Sequence, residues 1–71
     1  MDVRFDNDMT GKVQIIILSE TGIKVKEIFA EKIGPDFLRD IPVDDLDEGI
    51  YFVRVTIDLV PFQFSKVVVI K

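Results

Sequence analysis

The chain has no cysteine, no histidine and no tryptophan, and one tyrosine among its 71 residues. Without Cys, neither a disulfide nor a thiolate metal site can form. Without His, the commonest general base and metal ligand is missing. Basic residues are outnumbered, nine Lys and Arg against thirteen Asp and Glu, for a formal charge of −4. An acidic chain with no basic stripe is a poor match for nucleic acid or an anionic membrane. No apolar run approaches the ~20 residues that a membrane-spanning helix needs. Met1-Asp2-Val3-Arg4 carries no apolar core of a signal peptide. Two expectations remain: a cytoplasmic protein, or a piece of a longer exported one.

What is present favours β-structure. The hydrophobic fraction is 48%, enough for a dense core and too high for a disordered chain. Val, Ile and Phe dominate it, residues that suit a pleated, half-buried surface. A chain this short makes one small domain. At ~60 residues only about 60% of the unfolded surface is buried on folding, so core density decides stability.

The best-specified stretch is Asp44–Val55, an acidic turn running into a strand. Tyr51, Val53, Val55 and Ile57 alternate with Phe52, Arg54, Thr56 and Asp58, the period of two of a strand with one buried face. Gly49 precedes it, where positive φ is accessible, and Leu46 is the one apolar residue of the turn. Residues 12–18 form a second strand with Val13, Ile15 and Ile17 on one face. Ile16 and Leu18 interrupt its polar side, which implies cover there. The expected core brings Tyr51, Val53, Val55 and Ile57 against Val13, Ile15 and Ile17.

The remaining elements follow from turn chemistry. Val3 and Phe5 mark an entering strand, and Asp6–Gly11 a turn. Ser19-Glu20-Thr21-Gly22 reads as a hairpin connection. The return strand spans Ile23–Ala30, with a bulge at Glu27-Ile28-Phe29 to explain a phase shift; a helix over 23–32 is the weaker alternative. Gly34-Pro35-Asp36 is a break, followed by a strand over Phe37–Val43 that Pro42 confines to an edge or ends. Leu59–Phe62 reads as an apolar connection, either a lid over one end or a weak self-association surface. Phe64–Ile70 is the last strand. Six or seven short strands with regular turn signals indicate an all-β sandwich.

Catalytic readings are thin. No His activates Ser19, Ser65, Thr10, Thr21 or Thr56. Asp44, Asp45, Asp47 and Glu48 read as a solvated turn rather than a glycosidase pair, which would need a cleft. The Asp6–Gly11 turn matches no calcium-loop spacing. Neither a catalytic site nor a cofactor or metal site is expected.

Four segments in order carry a family resemblance. They are Gly11-Lys12-Val13-Gln14-Ile15-Ile16-Ile17, of the form G-x-V-x-I-x-I; the turn ending at Gly22; Asp45-Leu46-Asp47-Glu48-Gly49-Ile50-Tyr51-Phe52-Val53-Arg54-Val55; and the terminal Lys66-Val67-Val68-Val69-Ile70-Lys71. Together they resemble the C-terminal sorting domain of the type IX (Por) secretion system of Bacteroidetes. The resemblance covers nearly the whole chain. The Pro-Asn-Pro-like opening of that family is absent, Ser19-Glu20-Thr21-Gly22 replaces the more usual Asp-x-x-Gly, and Asp47-Glu48 stands where Pro-Ser is common. The resemblance implies an immunoglobulin-like antiparallel sandwich of about seven strands. It also implies a non-catalytic C-terminal address on a larger secreted precursor, read by the outer-membrane translocon, with an upstream cargo domain and a secreted or cell-surface destination. The sorting motif it implies is Gly11, Gly22, Leu46, Gly49–Val53 and Lys66–Lys71. The rival reading is an immunoglobulin- or fibronectin-like module that binds carbohydrate or protein. Sugar-binding sandwiches usually present exposed aromatics, and here Tyr51 is assigned to the core.

Overall fold

A computed structural model describes residues 1–70, all side chains among them except that of Phe62. Lys71 lies outside the described residues. The chain forms six strands: β1 (Asp2–Asp6), β2 (Gly11–Ser19), β3 (Lys24–Lys32), β4 (Asp36–Asp40), β5 (Gly49–Ile57) and β6 (Val60–Val69). Four form an antiparallel sheet in the order β3-β2-β5-β6, and β1 and β4 form a separate two-stranded antiparallel ribbon. The domain is therefore all-β, in two sheets, as the alternation predicted.

β2 and β5 are central because both alternate without a break. Their register sets Val13 beside Ile57, Ile15 beside Val55 and Ile17 beside Val53. All six are at most 4% exposed, so the expected core pairing is observed, side by side within one sheet. The ribbon covers this face with Val3, Phe5 and Phe37, the two rings stacked at 4.8 Å. Ile41, Val43 and Leu46, from the connection after β4, complete the core. On the outer face Ile16 is buried and Leu18 half-buried, in line with the interrupted polar side.

Besides shifts of one or two residues at the ends of β3 and β6, three features differ from the sequence expectation. The bulge in β3 falls at Val25, which is skipped between Leu18↔Lys24 and Ile17↔Lys26. From there Lys26, Ile28, Ala30 and Lys32 share the inner face, and Phe29 turns outward, 64% exposed. β4 ends at Asp40: Ile41 still donates its N–H to Met1 O at 2.6 Å and accepts from Met1 N at 3.0 Å while its side chain enters the core, and Pro42 has no N–H to continue a ladder. Of the expected connection Leu59–Phe62, only Leu59 lies in a loop. Asp58 and Leu59 form a two-residue hairpin with φ of 49° and 70°, and β6 starts at Val60. Both positive angles match the type I′ hairpin, whose twist suits the flanking strands. Leu59 is 84% exposed, so it is no lid; the Phe62 part of that expectation lies outside the described side chains.

The two inner-face lysines of β3 tie the connections down. Lys32 is 2% exposed, and its Nζ donates to the carbonyls of Asn7 (2.8 Å), Met9 (2.5 Å) and Gly34 (2.5 Å). All three donors of the ammonium are used. Lys26 Nζ donates to Pro42 O at 2.6 Å and to Asp45 Oδ1 at 2.8 Å. One lysine thus fixes the turns after β1 and β3, and the other fixes the segment before β5.

Candidate recognition surface

The antiparallel pairing of β5 and β6 determines which motif residues meet. It sets Gly49 against Val69, Ile50 against Val68, Tyr51 against Val67, Phe52 against Lys66 and Val53 against Ser65. The segments 49–53 and 66–69 are thus direct neighbours. Ser19 pairs with Tyr51, which brings the Gly22 turn to the same end of the sheet. Gly11 starts β2 at the opposite end, about 26 Å away at ~3.3 Å per residue. The Gly11–Ile17 segment also pairs with the third one, through Ile15↔Val55 and Ile17↔Val53, but Gly11 itself stands apart at the far end.

Alternation then sorts these side chains. Val53 is buried at 4% and Val69 at 8%, while Tyr51 and Val67 are half-buried on the inner face. Tyr51 Oη donates to Asp47 O at 2.8 Å, and Leu46 N donates to Val43 O at 3.0 Å with the leucine 7% exposed. Leu46 therefore anchors the acidic turn in the core. On the outer face lie Ile50, Phe52, Lys66 and Val68; Phe52 stacks on Phe64 at 5.5 Å. Val68 is 55% exposed and Ile70, beyond the strand, 82%. Lys71 is outside the described residues.

The glycines do different work. Gly22 has φ 88° in a turn where Gly22 N donates to Ser19 O (2.9 Å) and Ser19 N to Ile23 O (2.7 Å). A side chain there would meet open space but an unfavourable backbone angle. Gly11 has φ 140°, and a Cβ would lie 2.3 Å from Asp58 Oδ2. That carboxylate accepts from Lys12 N at 2.9 Å, while Asp58 N donates to Lys12 O at 2.8 Å. Gly11 thus makes room for a clamp that holds the β5–β6 hairpin to β2. Among the described motif residues, those of β5 and β6 are direct neighbours. Gly49 opens β5 at the expected positive φ, 158°, so a side chain there would be strained although its Cβ would come no nearer than 3.9 Å to Tyr51 Cε2.

Other surface features were not assigned from the sequence. Phe29 (64% exposed) and Phe64 (62%) project from the outer face. A shallow groove of about 430 Å³ runs between Phe29 and Leu59 over Gln14 and Thr56, with Lys12 and Asp58 at its end. A smaller one of about 210 Å³ separates Val3 and Arg4 of β1 from Gln63, Ser65 and Val67 of β6. The alternation after Ile28 contains the signal for Phe29, once the bulge is placed at Val25. Among the described residues no cluster of three or more acidic, His or Cys side chains could hold a metal ion. No family model matches the chain, and neither a curated protein nor a solved structure does.

Proposed function

We propose that this domain is an immunoglobulin-like, non-catalytic export address, the C-terminal sorting module of a larger precursor handled by a type IX translocon. The reading rests on the four ordered sequence segments. The observation that supports it is the convergence of the Gly22 turn, Gly49–Val53 and Lys66–Ile70 at one end of the sheet. A folded address needs a rigid scaffold presenting a contiguous surface, and β2 and β5 supply the scaffold. The partners in this reading are the outer-membrane machinery and an upstream cargo domain, and the destination is the cell surface or the medium.

The test fuses residues 1–71, with the native upstream segment, behind a signal peptide and a fluorescent reporter in a type IX-competent host. Delivery to the surface or medium that needs both the domain and the machinery is the expected result, and removal of residues 67–71 abolishes it. A reporter held in the periplasm behind a folded domain rejects the proposal. The binding-module alternative has one observation in its favour, the two outward phenylalanines, Phe29 and Phe64. A glycan array on the isolated domain addresses it.

A further inference from the structure

The four-stranded sheet has two edges, and they are built differently. β3 is bulged at Val25 and carries five charged residues in nine: Lys24, Lys26, Glu27, Glu31 and Lys32. Those are the devices by which natural edges refuse a further strand. β6 carries one charged residue, Lys66, in ten. Its other protections, Pro61 and the register shift opposite Val55/Thr56, crowd into its first residues. From Phe64 to Val69 it pairs with β5 without interruption. It is an end strand of the sheet, and Phe64, 62% exposed, and Val68, 55% exposed, stand on its outer face beside the edge.

We propose that this edge pairs antiparallel with β6 of a second copy, about a two-fold axis at Val67. The sequence is self-complementary in that register. Val67 meets Val67, Ser65 meets Val69, Lys66 meets Val68 and Phe64 meets Ile70. Outer-face residues meet outer-face residues, as the period of two requires. The two lysines are offset rather than opposed, and like charges directly opposite one another would destabilise the pair. The exposed Phe64, Val68 and Ile70 each gain an apolar or aliphatic neighbour. The resulting eight-stranded sheet ends at both sides in the bulged, charged β3, so an isologous contact closes at the dimer and does not propagate. The formal charge of −4 on each copy opposes association at long range, and salt screens that repulsion. The inference is independent of the export reading.

The experiment is sedimentation equilibrium of residues 1–71 over a concentration series, at low and physiological salt, with V68K and V68E beside the parent. The parent is expected to dimerise, more tightly at the higher salt. V68K sets an ammonium opposite Lys66 of the second copy at two symmetric positions and is expected to weaken the dimer at least tenfold. V68E sets a carboxylate there and is expected to keep the dimer within a few-fold of the parent. Far-UV circular dichroism verifies that both variants fold. An independent reading comes from a mixed sample of labelled and unlabelled parent chains, in which an intermolecular Val67–Val67 contact is expected by NMR. A parent that stays monomeric at millimolar concentration overturns the proposal. So does equal weakening by both variants, which refutes the register, or association indifferent to V68K, which moves the contact to the Leu59–Val60 tip or the outer face.

Discussion

Replacing Lys32 by Met tests whether one ammonium holds two turns in place. The substitution keeps the aliphatic stem, which lies buried, and removes the three bonds to Asn7 O, Met9 O and Gly34 O. Hydrogen bonds from a charged donor are worth about 1.5–3 kcal/mol each, and a carbonyl left unpaired in a buried site costs about 1–3 kcal/mol. Against this, the variant no longer has to desolvate an ammonium, a penalty of several kcal/mol. The turns also lie near enough to the surface for water to reach some of the freed carbonyls. The expected net loss is about 2–4 kcal/mol. At roughly 0.05–0.15 kcal/mol per residue, that is a large part of what a domain of this size has. The assay is urea unfolding, reading a lower midpoint at constant slope, which separates a stability change from a change in compactness. Hydrogen exchange adds the location: the Asn7 amide, bonded to Pro35 O at 3.0 Å, should lose protection before those of Ile15 and Val55. A K32M protein as stable as the parent, or more so, would falsify the reasoning. It would mean that burying the charge costs as much as its bonds return.

Two further substitutions test other parts of the fold. Val53→Asp places a carboxylate at a position 4% exposed, between Ile17 and Ser65; several kcal/mol are lost, and a melting curve like the parent's would show that the inner face is misassigned. Leu59→Gly relieves a left-handed leucine, φ 70°, worth about 1–2 kcal/mol. This exceeds the ~0.4–1 kcal/mol of extra unfolded-chain entropy that glycine brings, so the melting temperature should rise by a few degrees, and a fall would argue against the hairpin geometry.

The parts of the fold legible in the sequence are those where period and burial agree. β2 and β5 alternate cleanly, and their pairing followed from matching the two apolar faces. β3 was harder, because a bulge displaces every later side chain to the other face. With the bulge placed at Glu27–Phe29 rather than at Val25, Lys32 could not be recognised as an inward cation or Phe29 as an outward ring. The Asp58-Leu59 hairpin was hidden for a different reason. Neither the apolar run 59–62 nor a leucine announces a turn that normally takes Asn-Gly, and the clamp between Asp58 and Lys12 spans 46 residues of sequence. Strand order is a tertiary outcome as well. Nothing in local pattern says that β1 leaves the large sheet to pair with β4. For the candidate surface, the motif segments were readable one by one, whereas the separation of Gly11 from the rest depended on knowing which strand ends lie together.

The division into a four-stranded sheet and a small ribbon also sets how the domain yields to tension. β1 is held by five paired positions to β4, with like-charged Asp6 opposite Asp36 at one end and, at the other, Met1 bonded to Ile41 and ion-paired with Asp40 beside Asp2. β6 is held by nine paired positions to β5. A load applied through the N-terminal end therefore strips β1 from the ribbon first. The large sheet, with β5 and β6 still zipped together, is left bearing the force. The weak ribbon acts as a mechanical fuse, lengthening the chain by one strand before the β5–β6 surface is disturbed.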